Sequence, residues 1–259
     1  MSHYCTAEEL EQLSAARESI YAFTGQAFSK EADERLWQAV EDIAAAHTES
    51  NSDASGGFAR LARYAARCED VPLTELAVDY AATFLGIGPR HDGAFPYESV
   101  YTSDEKLLKQ EAFDEMNAVL RSKRIALAID MVSDEDHVST ELALLARYAH
   151  DVRCLLGKGD TDGAWSVESE RIGFLLGHAM RWIPDFCADV KRCAKTDFYR
   201  AIADIASDFL MLDASIVEGE PQATPSKAGA AYPSGPSAVL AADGNPRKRS
   251  DRTCPPSLV

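Results

Sequence analysis

The 259-residue chain lacks the short motifs that usually mark an enzyme. There is no Gly-x-Ser-x-Gly elbow, no Gly-x-Gly-x-x-Gly turn and no His-Glu-x-x-His pair, so the common signatures of serine hydrolases, dinucleotide binders and zinc proteases are missing. Gly157-Lys158 lacks the upstream glycine and the following Ser/Thr of a phosphate-cradling loop, which excludes nucleotide binding by that device. No apolar run approaches the roughly 18 residues of a membrane span, and the amino terminus shows no basic start leading into an apolar stretch. A soluble, cytoplasmic protein is expected. The six cysteines (Cys5, Cys68, Cys154, Cys187, Cys193, Cys254) include no Cys-x-x-Cys pair and read as reduced thiols. Basic residues are scarce, 26 Lys and Arg against 42 Asp and Glu, for a net charge of −16. From Val217 onward bases outnumber acids by one, which leaves −17 on the body. Such a surface repels nucleic acid and anionic membranes and favours a cationic partner.

What is present is helical periodicity. Leu10, Leu13, Ala16, Ile20, Phe23 and Ala27 form one apolar stripe. Val138, Leu142, Leu145, Ala149, Val152 and Leu156 form a second, and Phe198, Ile202, Ile205, Phe209, Leu212 and Ile216 a third. Spacings of three and four place each set on one helix face. Thr6 with Glu9 and Ser133 with Asp136 fit capping boxes, Pro72 suits a helix start, and Gly157 and Gly159 stop the helix expected to open at Ser133. Trp182-Ile183-Pro184-Asp185-Phe186 reads as a helix break, and Ile125 to Ile129 is the one candidate for extended structure. The expected fold class is all-α: a helical bundle in residues 1–216, with subdomains of about 1–122 and 133–216 joined by a hinge at 123–132. Seven of the eleven prolines fall in residues 217–259. That composition buries too little apolar surface to offset the entropy of ordering, so a disordered tail is expected there.

Three constellations carry chemical interest. His137 and Glu141 are four apart on one expected helix, a spacing that brings two metal ligands to one face. No other histidine shows a spacing that completes the set, and a local hydrogen bond explains the pair equally well. Asp134, Glu135 and Asp136 crowd the expected first turn of the same helix, where each favours the helix dipole by ~0.3–1 kcal/mol; together they would also suit an arginine pair. The loop Phe95-Pro96-Tyr97-Glu98-Ser99-Val100-Tyr101 offers aromatics either for packing or for one wall of a peptide groove.

Several landmarks, in order, resemble the TorD/DmsD family of molybdoenzyme maturation chaperones. They are Asp79-Tyr80-Ala81-Ala82-Thr83-Phe84-Leu85-Gly86 with Gly88-Pro89, then Pro96 to Tyr101, then Glu135-Asp136-His137. Phe174 to His178 with Trp182, Pro184 and Phe186 follows, and last Asp197-Phe198-Tyr199-Arg200-Ala201. The resemblance spans residues 8 to 215. It implies an all-helical chaperone with no catalytic residue, cofactor or metal. Such a chaperone binds the twin-arginine signal peptide and the apo-form of a DMSO or TMAO reductase-like molybdoenzyme, assisting cofactor insertion before export. Pro96, Tyr97, Asp136 and His137 are the peptide-binding residues it implies, and Phe84 and Glu135 are expected to join them from their place beside these segments, with no nucleic acid partner, no membrane span, and a homodimer left open. The loop from Arg90 to Phe95 is longer than the family's. The alternative from the residues alone is a metal-dependent helical hydrolase using His137 and Glu141.

Overall fold

A computed structural model describes residues 6–49, 56–87, 93–125 and 134–218. Among these residues the fold is all-α: α1 (Ala7–Ser29), α2 (Glu34–Glu49), α3 (Gly57–Ala65), α4 (Leu73–Phe84), α5 (Glu98–Thr102), α6 (Glu111–Ser122), α7 (Val138–Leu156), α8 (Thr161–Phe174), a π-helical turn (Leu175–Ala179), α9 (Met180–Cys193) and α10 (Asp197–Glu218). Thr6 caps α1 as expected, its hydroxyl accepting from Glu9 N at 3.1 Å. Asp160 does the same for α8 through Gly163 N at 3.0 Å. α7 ends at Leu156, ahead of Gly157 and the positive φ of Gly159. The expected hinge lies mostly outside the described residues, as do Ser133, most of the Ile125–Ile129 stretch and nearly all of the expected tail.

The main core cluster is fed by α1, α2, α3, α4, α6, α7, the end of α8, the π-helical turn, α9 and α10, and a small second cluster joins Leu10, Val152 and Ala164. α1 packs along α7 and also touches α10, while α10 lies between α3 and α9. The approach of α3 to α10 requires Gly57, since a Cβ there would stand 2.7 Å from Ile205 N and 2.8 Å from Ala201 O.

The second and third apolar stripes are buried along most of their length, as periodicity predicts. The first is displaced. The innermost line of α1 runs through Leu10, Ser14, Arg17, Tyr21, Thr24 and Phe28, about one position round from the apolar stripe. The cause is Arg17, which is fully buried. Its guanidinium donates to Asp213 of α10 at 2.8 and 2.5 Å and to Glu168 of α8 at 3.1 Å. Arg171 of α8, also fully buried, donates to Asp213 at 2.7 Å and to Glu168 at 2.8 Å, and Tyr21 donates to Asp213 at 2.6 Å. Two cations and two anions thus replace apolar packing where three helices meet.

The expected break at Trp182–Phe186 is also displaced. Pro184 lies inside α9, and the irregularity is the π-helical turn one turn upstream. Proline removes one amide donor and crowds the carbonyl four residues before it, and a widened turn at that point absorbs the mismatch.

Candidate functional site

The two segments singled out by sequence meet. Val138 N donates to Pro96 O and Glu98 N donates to Asp136 O, each at 2.9 Å, which makes an antiparallel bridge between Tyr97 and His137. The two rings meet edge-on, centroids 5.1 Å apart at 76°. Thirty-nine residues of intervening chain are closed by this short ladder, and the N-termini of α5 and α7 are brought side by side.

The ladder corrects the expected start of α7. The helix begins at Val138, and His137 is its N-cap, with Nδ1 facing Ser139 N at 3.1 Å and Ser139 Oγ at 2.7 Å. The three acids therefore precede the helix and have different fates. Asp134 pairs with Lys109 at 3.1 Å and is partly exposed. Glu135 is partly exposed. Asp136 is fully buried, and its Oδ2 accepts from Ser99 N at 3.0 Å, capping α5 from across the ladder. Burial lifts the Asp136 carboxyl above the usual carboxylate range against the lowering effect of that hydrogen bond. Burial also pushes His137 down to about 3, so at neutral pH its ring carries no charge.

The remaining expected residues divide in the same way. Pro96 is buried and Tyr97 half-buried, with its hydroxyl raised by burial and by the nearby Asp134 and Asp136. Phe84 is not open to a ligand. It is 1% exposed and sits among Phe28, Tyr80, Phe186 and Tyr199 with centroids 4.9 to 6.1 Å away. Its contribution is to the floor behind the ladder. The surface beside the ladder is instead made by side chains that helical periodicity does not single out: Leu85, Ile87 and Phe95 on one connection, Leu107 and Leu108 on the next, each between 39% and 66% exposed. Phe95 lies over Gly86, whose φ of +64° and missing Cβ let the ring approach. The Leu107–Leu108 turn is tied to the site by Gln110 N donating to Ser99 Oγ at 3.1 Å and by the Lys109–Asp134 pair.

The metal-site alternative does not match this geometry. Nδ1 of His137 is engaged by Ser139. Glu141 is fully buried, with Trp182 Nε1 donating to both its oxygens at 3.1 Å. Among the described residues no group of three or more His, Cys, Asp and Glu side chains is arranged to hold a metal ion. A shallow cleft of about 420 Å³ lies between α6, α7, α8 and the π-helical turn, lined in part by Lys123, Tyr148, Phe174 and His178, and His178 reaches from it to Glu98 of the ladder at 3.0 Å. No described helix is long and apolar enough to cross a membrane.

Comparison with known proteins identifies the family of the chain. The family model described as nitrate reductase delta subunit matches residues 48–188, more than half of the chain and the whole stretch holding the ladder. The chaperone protein TorD of Shewanella pealeana is 25% identical over 227 residues, covering 82% of this chain and 94% of the relative. That of Vibrio cholerae is 28% identical over 223 residues, covering 80% and 94%, and that of Ferrimonas balearica 32% identical over 152 residues, covering 58% and 62%. A crystal structure from Archaeoglobus fulgidus, described as that of a putative redox enzyme maturation protein, is 19% identical and covers 75% of this chain and 93% of its own, with a TM-score of 0.46. The chain belongs to the nitrate reductase delta subunit family, the family of the TorD/DmsD maturation chaperones.

Proposed function

We propose that this protein is a cytoplasmic chaperone that receives the twin-arginine signal peptide of a DMSO reductase-type apo-molybdoenzyme at the surface beside the Tyr97–His137 ladder. It acts by binding, without turnover, while cofactor is inserted into the client. The observation that carries this reading is the exposure of Leu85, Ile87, Phe95, Leu107 and Leu108 next to the partly exposed acids Asp134 and Glu135. Large apolar side chains are seldom left grouped in water unless a partner covers them. A twin-arginine peptide offers a matching pair of surfaces, an apolar stretch and an adjoining basic start, and the body's charge of −17 attracts it. Phe84, Pro96, Asp136 and His137 then hold the surface from behind, and Phe95, Tyr97 and Glu135 meet the peptide. The division into segments 1–122 and 133–216 about a hinge at 123–132 belongs to the same proposal, since the ladder spans that hinge.

Calorimetry with a synthetic twin-arginine peptide tests it. Phe95→Ser together with Leu85→Ser removes exposed apolar surface and leaves the core untouched. The double variant is expected to bind at least tenfold more weakly, about 1.4 kcal/mol, with an unchanged unfolding midpoint. Binding equal to wild type, or none by wild type itself, would place the peptide elsewhere.

A further inference from the structure

Behind the ladder lies a set of buried acids that the peptide-facing surface does not use. Glu98 of α5 and Glu141 of α7 are both fully buried. Glu98 Oε2 lies 3.0 Å from His178 Nδ1 on the π-helical turn, and Glu98 Oε1 lies 3.9 Å from the Arg181 guanidinium of α9, which also stands 4.0 Å from Glu115 of α6. Glu141 takes the indole N–H of Trp182 on both oxygens, and its carboxyl adjoins that of Glu98. Asp136 adds a third buried carboxyl to the group. α1 meets this stretch of α7 through Gly25, against Leu142 and the Ser139 carbonyl. Glu98 Oε1 finds no hydrogen-bond donor among the protein's fixed N–H and O–H groups. An ionised carboxylate only accepts, so two carboxyl groups bond each other only when one carries a proton.

We propose that Glu141 is held protonated and donates to Glu98, so that one shared proton ties α7 to α5 and latches the Pro96–Ser99 segment against Asp136–Val138. The latch is a pH-sensitive part of the binding surface. Its existence is independent of the peptide-binding reading, and its effect on affinity rests on that reading. Burial, and after it the charge of Glu98, pushes the Glu141 carboxyl well above the usual range. The stabilisation is therefore fully present below the ordinary carboxyl range and is lost as pH rises through the raised value. His137 works in the opposite direction, because a buried neutral imidazole is penalised only as pH falls below its ordinary 6.5, so the alkaline side isolates the carboxyl pair.

Amide hydrogen exchange on the full chain, corrected for the intrinsic pH dependence of exchange, tests the latch without any peptide. The amides to follow are Glu98, Ser99 and Val138, whose N–H groups form the ladder. Between about pH 7 and pH 9 their wild-type protection is expected to fall by up to about tenfold per pH unit, the slope for one released proton. Glu141→Gln keeps a donor toward Glu98 and cannot ionise, so its protection should stay level. A level wild-type profile, or the same slope in E141Q, overturns the latch. Should E141Q not fold, the carboxyl ¹³C shift of Glu141 in the wild type decides instead, and an ionised carboxyl at pH 7 sinks the proposal. A twin-arginine peptide titrated at both pH values then separates the two claims. Weaker binding at high pH in the wild type alone extends the latch to affinity, while absence of binding throughout fails the peptide reading and leaves the exchange result standing.

Discussion

Two buried charge clusters lie in the same helical body, and they are built on opposite principles. The Arg17–Glu168–Arg171–Asp213 cluster, where α1, α8 and α10 meet, has two cations and two anions. Every carboxylate oxygen in it accepts from a guanidinium or from the Tyr21 hydroxyl. The Glu98–Asp136–Glu141 cluster, where α5 and α7 meet, is acid-rich, and Glu98 Oε1 and Asp136 Oδ1 have no hydrogen-bond partner. A balanced network of this kind holds helices in register and changes little over ordinary pH. An acid-rich cluster is stable only while it keeps a proton, so its geometry follows the solution. The peptide surface proposed above rests on the second cluster, and the frame that carries it rests on the first.

The largest effect is expected from breaking the balance of the first cluster. Arg17→Met leaves Asp213 and Glu168 sharing only Arg171 in a site closed to water. Removing one partner of a buried pair destabilises by about 3–5 kcal/mol, and urea unfolding should show a loss of that order. Replacing all four charged side chains by apolar ones of similar volume is expected to recover much of it, because the penalty lies in the uncompensated charge. A loss below about 1 kcal/mol for Arg17→Met would show that water reaches the cluster.

An intermediate effect is expected from acid. The unfolded-state imidazole protonates near 6.5, whereas His137 in the fold resists down to about 3. A folded value below the unfolded one means that stability is lost as pH falls below about 6.5, by up to ~1.4 kcal/mol per pH unit for this single proton. His137→Asn keeps a good N-cap for α7 and removes the titration. Urea midpoints at about pH 7 and pH 5.5 should draw apart in the wild type and lie closer together in the variant. Equal differences in the two proteins would mean that the ring opens to solvent before it protonates.

These clusters also explain which parts of the molecule were legible in its sequence. The helices of α7 and α10 were plain, because their buried faces are apolar and the 3.6-residue period is uninterrupted. The inner face of α1 was misplaced by about one position, because Ser14, Arg17 and Thr24 are buried there and no hydrophobic pattern marks an arginine whose partners are 151 and 196 residues away. α7 starts about a turn later than its sequence suggests, since Asp136 resembles a member of a local capping box while its bond goes to Ser99, 37 residues back. Each of the two motifs stands out in the sequence, but their pairing does not. A two-bond ladder between loops leaves no period in either segment. The exposed Leu85, Ile87, Leu107 and Leu108 carry no mark in the sequence, because an isolated aliphatic side chain in a connection looks the same whether it packs or is displayed.

The smallest effect should come from the acids that remain at the surface, and it sharpens the comparison most directly. Glu135 is partly exposed and outside the helix, so Glu135→Gln is expected to change stability by less than about 0.5 kcal/mol. Its consequence should appear in peptide affinity and chiefly at low salt. A charge contact at an exposed rim fades over a screening length of about 10 Å at 0.1 M salt, whereas apolar contacts do not. The variant should thus bind a twin-arginine peptide a few-fold more weakly at low salt and converge with wild type as salt is raised. Asp136→Asn should behave differently. It retains an oxygen for the Ser99 amide, and the charge it removes is buried, so binding should shift little and the slope against salt should stay as in wild type. If Asp136→Asn flattens the slope and Glu135→Gln does not, the buried aspartate reaches the peptide and the surface described here must open on binding.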